Sequence, residues 1–359
     1  MGVDFLLNKV YSIRMKRGKS MKPIEKVTKN TRFWSVLHEP SVKPFRKSMR
    51  LGPTGINFLY NSLSLGALCC ISPVWSHTGI PLGVNFFLQE ARAGKVQSLP
   101  IYTEEELTQD PTRKEAELLF LPGNPGAPYA IITPGGAYFS VAISVEGLPI
   151  GAKLHEKGYS VFFLRYRCGR HGELPKPFYD LQASIRYITD HAQELQVNPQ
   201  GYGVFGFSAG GHVAASMGTD NFGYLSQGLP KPGAMILGYP LVSLEERNFS
   251  INFVIHTYTG RKWREILPPT YILNHMDRNY PPTYIWQCRD DKLLPFSGNG
   301  EAFQKKAAQI GVPCCFRAVN KGGHGLGLGL GSEAEGWLEE AVTFWEHYRT
   351  AASETTAPT

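Results

Sequence analysis

The segment Gly206-Phe207-Ser208-Ala209-Gly210 places a serine between two glycines, directly after a short apolar run and before a helix-forming one. Residues 202–205 are typical of a buried strand, and residues 213–217 are typical of one face of a helix. Ser208 is therefore predicted to lie on a tight turn from a strand into a helix. The flanking glycines support this prediction, because such a turn strains the backbone and leaves no room beside it for a β-carbon. The alternative is an ordinary turn in which the serine caps the helix.

A serine hydroxyl needs a base and an orienting acid before it acts as a nucleophile, and both residue types follow in the chain. An acidic pair, Asp290 and Asp291, stands shortly after the strand-like run 283–287. His324 stands in a glycine-rich turn after the next strand-like run, 314–319. The order serine, acid, histidine is the one that α/β-hydrolases use, and it differs from the orders of the chymotrypsin and subtilisin types.

A glycine turn upstream supplies a third element of such chemistry. The run Pro134-Gly135-Gly136-Ala137-Tyr138 follows the strand-like residues 130–133, and its glycines leave the backbone N–H groups unshielded. We predict that the N–H group of Gly135 or Gly136, together with that of Ala209, forms an oxyanion hole.

Five short motifs follow one another along the chain: P-G-G-A-Y at 134–138, Y-R at 166–167, G-F-S-A-G-G-H at 206–212, D-x-x-L-P at 291–295 and G-G-H-G-L at 322–326. In this order they resemble the acetyl-xylan-esterase-like and carbohydrate-esterase branch of the α/β-hydrolases, over residues 100–350. Several motifs in the correct order are far more specific than any one of them. The resemblance implies an ester hydrolase that uses Ser208, Asp291 and His324.

Other residues compete for these roles. Asp290 neighbours Asp291, and we favour Asp291 as the acid because its spacing to the following Leu-Pro matches the family motif. His212 lies one turn into the helix after the serine and is predicted to be structural. His256 and His275 belong to an irregular segment and at most line the pocket.

Charged residues near the second predicted strand have simpler interpretations. Arg165, Arg167 and Arg170 follow the end of this strand and are predicted to support its loop, with contact to an anionic substrate group as the alternative. Asp180 is predicted to cap the start of the next helix.

Strands and helices alternate from residue 130 onward. Predicted strands cover 130–133, 160–165, 203–207, 234–239, 283–287 and 314–319, and predicted helices cover 147–157, 180–191 and the run after Ser208. This alternation predicts an α/β fold of the hydrolase type, in which a mostly parallel sheet is covered by helices on both faces and the site lies at the carboxyl ends of the strands. Residues 100–102 and 118–121 are predicted to pair as edge strands, with the acidic run 104–106 between them.

We predict three regions along the chain. Residues 1–100 form a basic N-terminal extension that is partly packed on the core, residues 101–350 form the catalytic domain, and residues 351–359 form a disordered tail. A short helix is expected at 84–91 within the extension. Between 241 and 279 the alternation breaks, which predicts a cap-like insert that shapes the substrate pocket.

The net charge of +7 is concentrated at one end of the chain. Residues 1–50 hold thirteen Lys and Arg against three acidic residues, a local charge of +10, so the remaining residues carry a net charge of −3. We predict a solvated or poorly ordered arm, with nucleic-acid binding or contact with a membrane surface as alternatives. No nucleic-acid partner is expected, because no base-stacking motif accompanies these charges.

Cysteine and apolar patterns narrow the class of protein further. The six cysteines lack the spacing of zinc ligands and no H-x-H or D-x-H cluster is present, so neither a metal nor another cofactor is expected. The apolar run 5–7 is too short for a secretory signal, and the run 63–74 is too short for a membrane span. Reduced thiols and a cytoplasmic location are therefore predicted.

The sequence as a whole predicts a serine esterase that removes acetyl or other short acyl groups from a small or carbohydrate substrate through an acyl-enzyme. An acyltransferase that uses the same three residues is the enzymatic alternative. A hydrolase fold without catalytic activity, which binds a partner through the basic arm, is the alternative from a different class.

Overall fold

The computed structural model describes residues 24–52, 57–71, 79–244 and 263–354, and a sheet of eight strands lies at its centre. The strands are β1 Gln97–Leu99, β2 Glu117–Leu121, β3 Pro128–Thr133, β4 Ser160–Arg165, β5 Asn198–Phe207, β6 Ala234–Gly238, β7 Thr283–Cys288 and β8 Cys314–Val319. Their order across the sheet is β1-β2-β4-β3-β5-β6-β7-β8. Neighbouring strands from β4 to β8 pair in parallel, whereas β1 and β2 form an antiparallel edge.

Helices connect and cover these strands. In chain order they are α1 Phe33–Leu37, α2 Arg46–Met49, α3 Asn57–Ser62, α4 Leu65–Ile71, α5 Ile80–Arg92, α6 Glu104–Gln109, α7 Leu148–Glu156, α8 Lys176–Asp190, α9 Ser208–Ala215, α10 Trp263–Ile266, α11 Gly300–Ile310 and α12 Trp337–Glu354. A π-helical turn, Ile143–Gly147, leads directly into α7.

Strand β5 shows that helices cover both faces of the sheet. Phe205 packs edge-on against Trp345 of α12, with ring centroids 5.6 Å apart. Gly206, the next residue, approaches α9 so closely that a β-carbon on it would lie 2.3 Å from Cβ of Ala214. Because successive residues of a strand point to opposite faces, α9 and α12 lie on opposite faces of β5. The predicted fold class and the predicted parallel strands are therefore confirmed, although β5 begins at Asn198, five residues before the predicted start, and other strand ends shift by one or two residues.

The edge of the sheet differs from the prediction. The strand is Gln97–Leu99 and ends before the predicted residues 100–102, although it does pair with β2. The acidic run begins helix α6, because the Thr103 hydroxyl accepts the N–H of Glu106 at 3.2 Å and the Glu106 carboxylate accepts the N–H of Thr103 at 2.9 Å. This reciprocal capping starts a helix where the sequence analysis placed only a connection.

The predicted role of Asp180 is wrong. Helix α8 begins at Lys176, so Asp180 lies inside the helix, where its side chain is fully buried. The Nε atom of Arg167 lies 2.9 Å from Oδ1 of Asp180, and the Arg167 backbone N–H donates to Oδ2 at 2.7 Å. Burial raises the pKa of Asp180, and the Arg167 guanidinium opposes this shift. Arg167 thus supports its loop by an internal ion pair, which agrees with the supporting role predicted for it.

Part of the N-terminal region packs against the sheet domain. Phe33, Val36 and Leu37 of α1 are buried in the same hydrophobic core as the strands. The Ser144 hydroxyl in the π-helical turn donates to the backbone carbonyl of Met49 at 2.9 Å. The predicted helix at 84–91 is present as the longer α5. The division of the chain into regions stays a prediction.

The insert and the tail are only partly within the described residues. The described part of the insert, 241–244 and 263–279, is irregular and contains the short helix α10. The segment 245–262 lies outside the described residues, as does the arm up to residue 23. Helix α12 continues to Glu354 and so includes the first four residues of the predicted tail, and residues 355–359 also lie outside the described residues.

Candidate active site

Ser208 lies on the predicted turn, where β5 ends at Phe207 and α9 begins at Ser208 itself. Its φ angle is 52°, a left-handed conformation that is rare for a residue with a side chain. The glycine at each side has its own steric reason. A β-carbon on Gly206 would meet α9, and one on Gly210 would lie 2.0 Å from the carbonyl oxygen of Thr133 at the end of β3. Only glycine therefore fits on either side of this serine.

The structure brings Ser208, His324 and Asp291 into one chain of contacts. Nε2 of His324 lies 2.8 Å from the Ser208 Oγ, and Nδ1 of His324 lies 2.8 Å from Oδ2 of Asp291. All three side chains are buried. Since the carboxylate only accepts hydrogen bonds, Nδ1 carries the ring proton and Nε2 is the nitrogen that can accept the serine proton.

Asp291 is fixed by its own loop. Its Oδ1 accepts the backbone N–H groups of Leu293 and Leu294, each at 2.9 Å, and its Oδ2 also accepts the side-chain amide of Gln287 at 3.2 Å. These donors hold the carboxylate in one orientation towards the imidazole.

Asp290 has a different neighbourhood, although it is adjacent in sequence. Its side chain is exposed and accepts the N–H groups of Gly323 at 2.8 Å and Gly322 at 3.2 Å. These backbone hydrogen bonds lower the pKa of Asp290. Gly322 and Gly323 have φ angles of 145° and 69°, which glycine adopts readily, so Asp290 holds a tight glycine turn that leads into His324. Of the two acids, Asp291 is the one that contacts the histidine.

The glycine turn after β3 lies against the serine, because a β-carbon on Gly135 would lie 2.7 Å from Cβ of Ser208. The N–H of Gly135 is nevertheless taken, since it donates to Oε2 of Glu146 at 2.6 Å. This contact removes Gly135 from the predicted oxyanion donors. Within the described part of the chain, the N–H groups of Gly136 and Ala209 have no protein acceptor. Ala209 lies in the first turn of α9, where backbone N–H groups have no partner within the helix.

Two buried side chains behind this turn were missed by the sequence analysis. Glu146 is only 4% exposed, and its Oε1 accepts the hydroxyl of Tyr239 at 3.3 Å. Burial raises the pKa of Glu146, and the Gly135 N–H opposes this shift. The Tyr239 ring packs edge-on against the His324 ring, with centroids 5.0 Å apart. The available signal for Glu146 was a single carboxylate in the mostly apolar run 141–150, which contains no other charged residue.

The other histidines do not contact the serine. His212 is fully buried between the hydroxyl of Tyr138, 2.7 Å from Nδ1, and the carbonyl of Thr270, 2.8 Å from Nε2. It therefore joins the glycine turn to the end of the insert, as a structural residue. His275 contacts Asp220 through Nδ1 at 2.8 Å. His256 lies outside the described residues.

The described residues can be compared with the requirements of a membrane span and of a metal site. In these parts of the chain, no helix is long and apolar enough to cross a bilayer. The same residues contain no group of three His, Cys, Asp or Glu side chains placed to hold a metal ion.

Known proteins resemble part of this chain. Residues 119–259 match the family model described as BD-FAE, a stretch that includes Ser208 and ends before Asp291 and His324. An acetylxylan esterase from Xylanibacter ruminicola is 29% identical over 222 residues, which cover 60% of this chain and 44% of that protein. The chain spans between 34% and 54% of the length of the curated relatives that it matches.

Solved structures are similar to this chain over a larger share of its length. An acetyl ester-xyloside bifunctional hydrolase from Caldicellulosiruptor lactoaceticus is 25% identical with a TM-score of 0.59, covering 72% of this chain and 96% of that one. An α/β hydrolase from a Medee basin deep-sea metagenome library is 23% identical with a TM-score of 0.54, covering 71% and 98% of the two chains. The chain has the α/β-hydrolase fold. In this fold the three contacting side chains follow β5, β7 and β8, at the carboxyl ends of parallel strands, where ligands of open α/β sheets bind.

Proposed function

We propose that this chain is a serine hydrolase that cleaves carboxylic esters through an acyl-enzyme, with acetyl or another short acyl group on a small or carbohydrate alcohol as its substrate. The observation that carries the proposal is the continuous contact from Asp291 through His324 to Ser208. The names of an acetylxylan esterase and an acetyl ester-xyloside hydrolase among the similar proteins support the choice of acyl group.

The first half of the proposed reaction forms the acyl-enzyme. Oγ of Ser208 attacks the ester carbonyl carbon while Nε2 of His324 takes the hydroxyl proton, and Asp291 stabilises the resulting imidazolium. The carbonyl oxygen becomes negatively charged and accepts the N–H groups of Gly136 and Ala209, each worth on the order of 3 kcal/mol in the transition state. The bond to the alcohol oxygen then breaks, and His324 returns the proton to the leaving alcohol.

The second half releases the acid and restores the serine. His324 takes a proton from a water molecule as its oxygen attacks the acyl carbon, and the same N–H groups stabilise the second oxyanion. The bond between the acyl carbon and the Ser208 Oγ breaks, and the serine oxygen recovers the proton from His324. An ester and one water are consumed, and one alcohol and one carboxylic acid are produced.

The test is ester hydrolysis by the wild type, Ser208→Ala and a matched control, Ser216→Ala. Ser216 is also a buried serine, which directly follows the last residue of α9, and its hydroxyl donates to the Val213 carbonyl at 2.7 Å. On p-nitrophenyl esters of increasing acyl length we expect the highest kcat/KM with acetate. Ser208→Ala is expected to lower kcat by more than about 10⁴-fold, while Ser216→Ala stays close to the wild type.

Two outcomes contradict the proposal. Wild-type turnover by purified, folded Ser208→Ala shows that another group is the nucleophile. An added alcohol that captures most of the acyl group in place of water shows that the chain is the acyltransferase of the alternative hypothesis.

A further inference from the structure

Glu146 is an unusual residue for its position, because burying a carboxylate costs free energy of desolvation. The proposed mechanism gives this carboxylate no role. Both of its oxygens are nevertheless used. Oε2 accepts the N–H of Gly135 at 2.6 Å, and Oε1 accepts the hydroxyl of Tyr239 at 3.3 Å. The two donors belong to different loops of the site.

The first loop is the glycine turn. The contacts of Gly135 in this turn determine the direction of the Gly136 N–H. The Gly135 N–H is fixed by the Glu146 carboxylate, and the Gly135 carbonyl accepts the N–H of Ala142 at 2.9 Å. The carbonyl of Gly135 and the N–H of Gly136 belong to one planar trans peptide and point in opposite directions. Fixing the carbonyl towards Ala142 therefore also fixes the Gly136 N–H, one of the two proposed oxyanion donors.

Glu146 supports this peptide in a second way, through its backbone. The Glu146 N–H donates to the carbonyl of Ala142 at 2.9 Å, which holds Ala142 at the position from which it donates to Gly135. The side chain and the main chain of one residue thus brace two successive peptides of the turn.

The second loop follows β6, and its Tyr239 reaches the loop after β8 that carries His324. The Tyr239 hydroxyl, which donates to Glu146, accepts the N–H of Gly327 at 3.3 Å, three residues beyond the histidine. The Tyr239 ring also packs against the imidazole, with centroids 5.0 Å apart. A carboxylate at Glu146 consequently links the turn that supplies an oxyanion donor to the loop that supplies the base.

We propose that Glu146 is a positioning residue, whose carboxylate holds the Gly136 N–H and, through Tyr239, the His324 loop in their reactive arrangement. The inference rests on the proposed function, ester hydrolysis through Ser208. It assigns Glu146 no contact with the substrate, so its loss lowers kcat and leaves KM largely unchanged. Removal of one oxyanion donor lowers kcat by about 10²–10³-fold, which sets an upper limit for a residue that only orients that donor.

The test compares Glu146→Ala, Glu146→Gln and Tyr239→Phe on one acetyl ester. Glu146→Ala is expected to lower kcat by about 10- to 100-fold with KM within about threefold of the wild type. Glu146→Gln recovers most of this loss, because its amide oxygen can accept the Gly135 N–H and its NH₂ group can donate to the Tyr239 oxygen. Tyr239→Phe keeps the ring and removes the bridge, and an intermediate loss of kcat is expected. A fluorophosphonate should phosphonylate Ser208 most slowly in Glu146→Ala, faster in Tyr239→Phe and fastest of the three in Glu146→Gln. This order is expected because the reaction uses the same serine, base and oxyanion donors.

Two controls remove a buried carboxylate or a buried hydroxyl elsewhere. Glu90 is a buried acid on α5 that pairs with Lys95 at 3.2 Å, and Tyr129 is a buried tyrosine on β3 whose hydroxyl has no partner among the described residues. Glu90→Ala and Tyr129→Phe are expected to retain the kcat of the wild type.

The outcomes separate the two proposals. If the wild type does not hydrolyse esters, or if its hydrolysis does not depend on Ser208, the proposed function is overturned and this inference with it. An active wild type with folded Glu146→Ala within twofold of its kcat overturns the inference alone. If Glu146→Ala does not fold, Tyr239→Phe decides: a kcat within twofold of the wild type overturns the inference, and a loss of about tenfold with unchanged KM supports it.

Discussion

Replacing His212 by Gln tests whether the helix after the serine carries a buried neutral imidazole. The Thr270 carbonyl can only accept, so Nε2 carries the ring proton and Nδ1 accepts the Tyr138 hydroxyl. No acceptor is left for a second proton. Burial lowers the pKa of His212 from 6.5 to about 4, and the hydrogen bond to Thr270 opposes this shift only in part.

The size of the expected loss of stability follows from the difference between the pKa of His212 in the folded state and its pKa in the unfolded state. Above pH 6.5 the imidazole of His212 is mostly neutral in both states, and its contribution to stability is complete. Below this pH the unfolded chain takes up a proton that the folded chain refuses, so stability falls as the pH falls, until the folded state is protonated near pH 4. Each pH unit inside this window costs about 1.4 kcal/mol. Lowering the pH from 7 to 5 should therefore remove about 2 kcal/mol through this residue.

The assay is urea unfolding at pH 7 and pH 5, followed by tryptophan fluorescence, on the wild type, His212→Gln and His347→Gln. His347 is an exposed histidine on α12 and serves as the control. The loss of unfolding free energy between the two pH values should be about 2 kcal/mol smaller in His212→Gln, because carboxylates and other groups contribute equally to all three proteins. His347→Gln should follow the wild type. Equal losses in the wild type and His212→Gln refute the assignment of a buried neutral imidazole.

Four further substitutions test other parts of the molecule. Asp291→Asn should lower kcat about 10⁴-fold and Asp290→Asn far less, measured on one acetyl ester, and a more severe defect in Asp290→Asn contradicts the assignment of the acid. Asp180→Asn leaves the buried Arg167 guanidinium with the half-buried Asp110 carboxylate, 2.8 Å from Nη1, as its remaining counter-charge and should lower the free energy of unfolding by about 3 kcal/mol; an unchanged urea midpoint argues against the Arg167–Asp180 ion pair. Gly210→Ala places a β-carbon 2.0 Å from the last carbonyl of β3 and should destabilise the fold by about 3 kcal/mol or more, which thermal unfolding measures.

The parts of the site that depend on local sequence could be predicted. Ser208 lies where the glycine pattern placed it, because Gly206 and Gly210 are required by contacts within one strand-turn-helix unit and its neighbouring strand. The positions of Asp291 and His324 follow from the regular alternation of strands and helices, which brings the ends of β7 and β8 to the same edge of the sheet. Whether these residues act as proposed stays a prediction.

The parts that depend on a distant partner could not be predicted. The pattern 134–138 shows that N–H groups are unshielded, and it does not show that Glu146, eleven residues later, takes the N–H of Gly135. An acid near the start of a helix has the same pattern whether it caps the helix or, like Asp180, pairs with an arginine thirteen residues earlier. In both cases the deciding contact is between a buried carboxylate and a donor on another element, which no local periodicity encodes.

Backbone strain shows how tightly this site is held. Among the described residues, the non-glycine residues with positive φ are Ala137, Tyr138, Gln196, Ser208 and Tyr239. All except Gln196 lie in the glycine turn, at the serine or beside His324. Each such conformation costs on the order of 1 kcal/mol or more and persists only when surrounding contacts determine it. Two of these side chains are held by buried polar partners, Tyr138 by His212 and Tyr239 by Glu146. Oxyanion donors stabilise a transition state best when they need no reorganisation during the reaction. Under the proposed mechanism, the strain and the buried partners have one physical explanation: the fold gives up stability at this edge of the sheet to keep the N–H groups and the imidazole in place before a substrate arrives.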